Sequence, residues 1–355
     1  MQIVDAHLDI AYNAIKYGRD PLLSVRQLRE QETPDPNRGV ATVSFPQLRE
    51  AGGVLLFGTL FTAPERSAAL MGGDTLLTYR DEHQAHRQAM DQFDFYRRLV
   101  DEEQNHLRLV TDLQVLQEVL DSQQDDEPLL GIMPLMEGAD PIREPQELEL
   151  WVEKGLRAIG LAWDDTRYAA GSWRGNRHGL TKRGMALLEI MAGSSLILDL
   201  THMNELASLE ALDRYSGPLM ASHSNARSLV PGQRQLSDLL IRRIGEHDGV
   251  IGIALYNPFL RANHHMGDPK ELVTLDHVIA HIDHICQILG DATHVGLGTD
   301  MDGGFGADDI PTPLDTIADL PLLIDPLKSF GYEDDDIARI MGGNWLTLLR
   351  ASLPS

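Results

Sequence analysis

The chain alternates short apolar runs with longer amphipathic stretches, and this alternation limits the folds that it can adopt. Helical spacing is found between the runs, for example over residues 181–192 and 272–289. Strands that alternate with helices indicate a parallel sheet with crossover helices. The eight apolar runs that we predict to be strands are residues 2–9, 53–61, 129–137, 156–163, 195–202, 218–223, 249–256 and 294–300.

Eight strand–helix repeats fit a closed (β/α)₈ TIM barrel better than an open, doubly wound sheet. The glycine-rich phosphate fingerprint of a dinucleotide-binding fold is absent after the first predicted strand. No linker or low-complexity tract divides the 355 residues. A barrel with insertions reaches this length as one unit, so we expect a single domain over residues 1–355.

Acidic residues outnumber basic ones by 54 to 30, which gives a formal net charge of −24. Such a surface repels phosphate backbones and anionic lipids, so neither nucleic acid nor a membrane is expected as a partner. The single cysteine, Cys286, excludes an internal disulfide and a thiolate cluster. No signal peptide or membrane-spanning run is visible, so the expected location is cytoplasmic.

Histidines and carboxylates stand at the ends of five predicted strands. Each has an ordinary alternative role, because a histidine after a strand is often hydrogen-bonded in a core and an acid is often a helix N-cap. The carboxyl ends of barrel strands meet at one rim, however, and buried polar groups need partners. A shared cation is the simplest account of the six side chains His7, Asp9, Glu137, His202, His223 and Asp300.

The residue types indicate which metals suit this rim. Imidazole and carboxylate without sulfur favour Zn²⁺, with Mn²⁺, Fe²⁺ or Co²⁺ as the other candidates. Glu137 has two oxygens and could bridge two ions about 3.5–4 Å apart. Such ions would lower the pKa of a shared water, and Asp300 could accept its proton and pass it to a leaving nitrogen. The pattern predicts metal-assisted hydrolysis.

Six motifs in this order resemble the renal (membrane) dipeptidase family, peptidase family M19, of the metal-dependent amidohydrolase superfamily. They are DAHLD, LMEGAD, LILDLTHMN, ASHSNARS, GLGTDMDGG and GGNWLTLL, and they run from residue 5 to about residue 349. The resemblance implies a barrel of the metallo-dependent hydrolase type with two zinc ions per chain and Asp300 as acid/base. In the ligand sets that it implies, one zinc is held by His7, Asp9 and Glu137 and the other by Glu137, His202 and His223.

The family resemblance also implies the substrate-binding residues. Arg234 matches an arginine that grips the substrate's free carboxylate, although without the family match it would be interpreted as an exposed arginine at a helix start. Tyr256 matches a tyrosine that contacts the substrate. Trp163 stands where mammalian dipeptidases have a histidine that polarises the substrate, which puts the substrate in question. The predicted fourth strand has no lysine, whereas other branches of the superfamily bridge their metals with a carboxylated lysine there.

The resulting functional prediction is a zinc metallo-dipeptidase that hydrolyses short peptides, including dipeptides with a D-residue at the C-terminal position. The first alternative is an amidohydrolase with the same site that acts on another small amide, an N-acyl amino acid or a lactone. The second is a barrel that binds a ligand without catalysis. The resemblance also suggests a homodimer.

Three further histidines, His277, His281 and His284, follow helical spacing within residues 272–289. Their spacing invites a metal-site interpretation. They lie on or beside the face opposite the apolar stripe, and they are far in sequence from any predicted strand end. We therefore expect them to face solvent or to pack between helices.

Overall fold

The computed structural model of the protein describes residues 1–33, 38–71, 73, 75–175 and 177–355. Its strands are β1 Ile3–Leu8, β2 Gly53–Phe61, β3 Ala63–Pro64, β4 Thr78–Tyr79, β5 Leu107–Leu109, β6 Leu130–Glu137, β7 Ala158–Gly160, β8 Ile197–Asp199, β9 Leu219–Ala221, β10 Val250–Ile253 and β11 Val295–Leu297. Its helices are α1 Ile10–Tyr17, α2 Val25–Gln31, α3 Phe45–Ala51, α4 Glu82–Asp101, α5 Leu113–Asp121, α6 Leu148–Lys154, α7 Lys182–Gly193, α8 Glu205–Leu212, α9 Asp238–Glu246, α10 Asn257–Leu260, α11 Leu275–Leu289, α12 Ile324–Phe330, α13 Asp334–Ala338 and α14 Asn344–Ser352. Among these described helices, none is both long and apolar enough to cross a bilayer.

Eight parallel strands close into a barrel in the order β1, β2, β6, β7, β8, β9, β10, β11 and back to β1. The longest ladder joins β2 to β6, from Leu55 opposite Gly131 to Phe61 opposite Glu137. The short strand β5 pairs with the beginning of β6, and β3 pairs with β4 in a separate two-stranded sheet. The predicted (β/α)₈ TIM barrel is confirmed.

Each of the eight predicted strands contains one barrel strand, but most ladders are shorter than the apolar runs. The run 156–163, for example, pairs only over Ala158–Gly160. Most of the later residues of these runs are buried, and they form the rim. The predicted helix over residues 272–289 begins at Leu275, because Lys270–Leu272 form a 3₁₀ turn. The backbone N–H of Thr274 then donates to His277 Nδ1 at 3.2 Å, which caps the helix start.

Trp345 of α14 anchors the C-terminal helix to the barrel. The indole is fully buried and packs edge-on against Phe57 of β2, with ring centroids 5.5 Å apart. Its Nε1 donates a hydrogen bond to the carbonyl of Leu297 at 2.9 Å. Glycine is required at position 296, because a Cβ there would lie 2.2 Å from that nitrogen. The late motif GGNWLTLL is therefore a packing element.

His281 lies inside the packed face of α11, which corrects the expectation that it lies on or beside the face opposite the apolar stripe. The ring is fully buried. Its Nδ1 accepts from the backbone N–H of Ala226 at 3.0 Å, and its Nε2 lies 3.3 Å from the carbonyl of Leu260. His277 and His284 are only partly buried. His281 therefore packs between α11 and the segments after β9 and β10, in its neutral form.

This buried histidine predicts a loss of stability in mild acid. Burial, partly offset by the Leu260 carbonyl, lowers the pKa of His281 to about 4, from 6.5 in the unfolded chain. A lowered folded pKa gives stability that is present above pH 6.5 and lost as the pH falls toward 4. Between pH 7 and pH 5 we expect the titration of His281 to lower the free energy of unfolding by about 2 kcal/mol.

The measurement is urea unfolding of the wild type and of His281→Gln at both pH values. The variant has no titrating ring, so its unfolding free energy should fall by about 2 kcal/mol less than that of the wild type. The exposed His265 gives a matched control, and His265→Gln should follow the wild type. Equal losses in the wild type and His281→Gln would contradict this prediction.

Candidate active site

The barrel brings the six predicted metal-site residues to one rim. His7 is next to last in β1, and Glu137 is the last residue of β6. The others follow β1, β8, β9 and β11 in the connecting segments. Since all eight strands are parallel, their carboxyl ends meet at the same end of the barrel. The side chains that converge there are His7, Asp9, Glu137, His202, His223 and Asp300, of which all but the partly exposed Asp300 are buried.

One half of the site is formed around Glu137 Oε1. This oxygen lies 3.0 Å from His202 Nε2 and 3.7 Å from His223 Nε2. The two Nε2 atoms are themselves 2.9 Å apart. Two ring nitrogens and a carboxylate oxygen therefore point at one small volume.

The other half is formed around His7 Nε2. This nitrogen lies 3.5 Å from Glu137 Oε2 and 3.9 Å from both Asp9 Oδ1 and Asp300 Oδ1. Glu137 thus turns one oxygen toward each half. Two triads each have ligand-type atoms within 4.8 Å of one another: His7, Glu137 and His223, and His7, Asp9 and Asp300.

The electrostatics of this cluster suit a bound cation. Burial and the charge of Arg234 lower the pKa of His202 to about 3, and burial lowers that of His223 well below its usual value. Both rings are therefore neutral and can offer lone pairs. Burial also lowers the pKa of His7, but the neighbouring carboxylates, Glu137 first, outweigh it and raise the value to about 10. The carboxylates thus attract positive charge.

The donor set fits a metal ion on two counts. Imidazole nitrogen and carboxylate oxygen are the ligands that Zn²⁺ and related ions take in sulfur-free sites. The Nδ1 atom of His202 is buried and has no hydrogen-bond partner among the described residues. A coordinated Nε2 would give this ring an interaction that compensates for its burial.

Asp199, which the sequence left without a role, lies behind His223. Its Oδ2 accepts from the Ser222 hydroxyl at 2.6 Å, and its Oδ1 accepts from the backbone N–H groups of Thr201 and Ser222 at 3.0 and 2.9 Å. The Ser222 oxygen lies 2.9 Å from His223 Nδ1. Since the hydroxyl donates to Asp199, its oxygen accepts from Nδ1–H, which leaves the Nε2 lone pair facing the site.

Asp5 supports the β1 side in a similar way. Its Oδ1 accepts from the backbone N–H groups of His7 and Thr299, at 3.1 and 3.0 Å. This carboxylate ties β1 to the residue just before Asp300. These roles of Asp5, Asp199 and Ser222 were not predicted from the sequence. For the two aspartates, the available signal was a carboxylate inside an otherwise apolar run.

The backbone is left-handed at two site residues. His202 has φ of 65° and Asp300 has φ of 58°, values that non-glycine residues seldom adopt. Asp302, with φ of 66°, accepts from the backbone N–H groups of Thr42 and Val43 at 2.9 and 3.1 Å. These bonds hold the turn that carries Asp300, so the surrounding structure maintains the strained conformations.

Arg234 lies beside the histidines and is buried, so it is not an exposed residue at a helix start. Its Nη2 donates to the carbonyl of His223 at 2.7 Å and lies 3.4 Å from His202 Nε2. Its guanidinium stands over the ring of Phe259, 5.2 Å from the centroid. The Nε atom is buried without a partner in the described part of the chain. Arg234 is not among the described residues that line the cavity above the site.

That cavity has a volume of about 310 Å³ and opens onto the rim. Tyr256 lines it and stacks on Phe305, with ring centroids 4.6 Å apart. Trp163 lines it as well, 5.2 Å from the ring of Phe61 and 6.0 Å from that of His202. Both predicted substrate-binding residues are therefore wall residues.

The sequence matches the family model "Membrane dipeptidase (Peptidase family M19)" over residues 1–352. An uncharacterised protein from the pqqA 5′ region of Klebsiella pneumoniae is 33% identical over 233 residues, which cover 63% of this chain and 83% of that protein. An uncharacterised dipeptidase of Schizosaccharomyces pombe is 30% identical over 211 residues, 59% of this chain and 49% of that protein.

Among solved structures, a metallopeptidase of Rhodobacter sphaeroides shares the fold with a TM-score of 0.82. The two are 22% identical over 99% of each chain, and that structure holds a phosphinate mimic of the dipeptide L-Ala-D-Ala. The match over nearly the whole chain confirms the family that the sequence motifs indicated. The chain belongs to peptidase family M19, the membrane dipeptidase family, and is a hydrolytic enzyme that acts on peptide bonds.

Proposed function

We propose that this enzyme is a binuclear zinc dipeptidase that cleaves the peptide bond of short substrates. The observation that carries the proposal is the position of Glu137, which turns one carboxylate oxygen toward His202 and the other toward His7. A bridging carboxylate between two ligand groups is typical of sites that hold two ions.

His7, Asp9 and Glu137 would hold one ion, and Glu137, His202 and His223 would hold the other. Zinc is the favoured metal because the ligand set lacks sulfur and consists of imidazoles and carboxylates, although Mn²⁺, Fe²⁺ and Co²⁺ take the same ligands. When bound, two such ions would polarise the peptide carbonyl and lower the pKa of a water between them.

Asp300 is the proposed acid/base. Its carboxylate lines the cavity and has Oδ1 3.9 Å from His7 Nε2. Burial raises the pKa of Asp300 well above its usual value, and the charges of Asp9 and Glu137 raise it further, against the effect of His7. A carboxylate with a raised pKa can take the proton of the attacking water and deliver it to the leaving nitrogen.

Arg234 would bind the free carboxylate of the substrate, for which a guanidinium is suited because it can donate two parallel hydrogen bonds. Its Nε, which has no hydrogen-bond partner among the described residues, and its position beside His202 support this role. Tyr256 and Trp163 would contact the substrate from the cavity wall. A cavity of about 310 Å³ suits a small ligand. The L-Ala-D-Ala mimic held by the Rhodobacter sphaeroides protein supports including dipeptides with a C-terminal D-residue.

The alternative with the same site is hydrolysis of another small amide, an N-acyl amino acid or a lactone, and Trp163 in place of a histidine is the feature that favours it. A cytoplasmic location, a homodimer, the absence of nucleic-acid and membrane partners and a single domain over residues 1–355 stay predictions.

Metal content tests the ligand assignment. Protein purified without chelator should carry about two zinc ions per chain by mass spectrometry. Glu137→Gln removes the charge from the proposed bridge, so its metal content should fall below one ion per chain. Glu149 is exposed on α6 and gives a matched control, Glu149→Gln, which should retain the wild-type content. Full metal content in Glu137→Gln would remove the basis for a bridging carboxylate.

Asp300→Asn tests the proton transfer. The amide keeps the shape of the side chain but cannot accept the proton, so kcat for dipeptide hydrolysis should fall by about 10²–10⁴ while the metal content stays unchanged. Asp308→Asn, on the exposed side of the same loop, should leave kcat at the wild-type value. An unchanged kcat in Asp300→Asn would refute the acid/base assignment.

A further inference from the structure

The strand order divides the cavity into two sides. Arg234 lies in the connection between β9 and β10, and it contacts Phe259 and the rim histidines. In this eight-stranded ring, β2 and β6 stand across the barrel from β9 and β10, and β1 and β7 flank them on that side. A substrate whose carboxylate is held by Arg234 therefore extends its N-terminal residue toward β1, β2, β6 and β7.

That side of the cavity is apolar and aromatic. The rings of Tyr12 and Phe61 are 5.0 Å apart, and those of Phe61 and Trp163 are 5.2 Å apart. Met71 and Tyr17 pack on the same cluster. We call this set of five cavity-lining side chains the aromatic wall.

Asp164 fixes the chain segments that surround the wall. It follows Trp163, is fully buried and accepts from the Nε–H and Nη2–H groups of Arg174, at 2.8 and 2.5 Å. It also accepts a hydrogen bond from the hydroxyl of Ser67, which belongs to the 3₁₀ turn Glu65–Met71. One carboxylate thus joins the segment after β7 to the turn that supplies Met71, so the wall is preformed for its ligand.

We propose that the enzyme selects dipeptides whose N-terminal residue has a bulky apolar side chain, which binds against the aromatic wall. This specificity rests on the proposed dipeptidase function, because Arg234 sets the direction of the substrate. Burial of an apolar side chain against aromatic rings favours binding, whereas a charged side chain would be desolvated there. The competing interpretation is a preference for an acidic N-terminal side chain, because the cation of Lys16 also lines the cavity. Lys16 donates to the Tyr12 hydroxyl at 2.6 Å.

The test is kcat/KM of the zinc-loaded enzyme for dipeptides with C-terminal L-Ala and N-terminal Gly, Leu, Phe, Glu or Lys, and for the reversed peptides Ala-Leu and Ala-Phe. Leu-Ala and Phe-Ala should exceed Gly-Ala by about tenfold or more. Trp163→Ala should reduce the Phe-Ala to Gly-Ala ratio by about tenfold, and Trp163→Phe should reduce it less. Phe330→Ala removes an exposed aromatic ring on α12 and should keep the wild-type ratio.

The outcomes separate this inference from the function on which it rests. Equal values across the series, or higher values for Glu-Ala or Lys-Ala, would overturn the apolar preference and leave the dipeptidase function intact. A preference for Ala-Leu and Ala-Phe over Leu-Ala and Phe-Ala would overturn the assignment of the wall to the N-terminal residue. If the zinc-loaded enzyme cleaved none of these dipeptides and none of the same series with C-terminal D-Ala, the proposed function itself would be overturned.

Discussion

Pairing of β2 with β6 closes the barrel, and the position of the site depends on that closure. The ladder ends where Phe61 stands opposite Glu137, and on its other side Glu137 stands opposite Gly160 of β7. Glu137 is therefore held between β2, which ends at Phe61, and β7, which leads to Trp163. Because the backbone hydrogen bonds of the sheet fix this register, they set the face of the sheet on which the Glu137 side chain lies.

The carboxylates that support or line the metal-site rim fall into two groups according to how their charge is compensated. Asp5 and Asp199 accept backbone N–H bonds and orient the histidines. No backbone N–H in the described part of the chain donates to the carboxylates of Asp9, Glu137 and Asp300, which face one another across the rim. Burial of such charges without compensation is costly, so the second group gains more from a bound cation than the first.

The sequence was sufficient to predict the barrel, because each buried strand is a local apolar run and the repeats are regular. It was also sufficient to predict that the six rim residues meet at one end of the barrel, because the carboxyl ends of parallel strands lie together. It could not predict the hydrogen bond between Asp199 and Ser222, the burial of His281 or the hydrogen bonds of Asp164 with Arg174 and Ser67. These depend on contacts between distant segments such as Ser67 and Asp164, which no local periodicity encodes. The sequence also could not predict the short ladder of β7, because Leu161, Ala162 and Trp163, which follow the strand, are as apolar as the strand itself.

Part of the aromatic wall and of its support lies outside the segments that carry the proposed metal ligands. His7 and Glu137 lie on strands whose register is fixed by the sheet, and Asp9, His202, His223 and Asp300 follow strand ends closely. Met71 and Arg174 lie in connecting segments that contribute no proposed ligand. Exchange of these segments in evolution can therefore alter which side chains the cavity accepts while the hydrolytic centre is inherited unchanged. One catalytic apparatus can thus serve relatives that cleave different peptides.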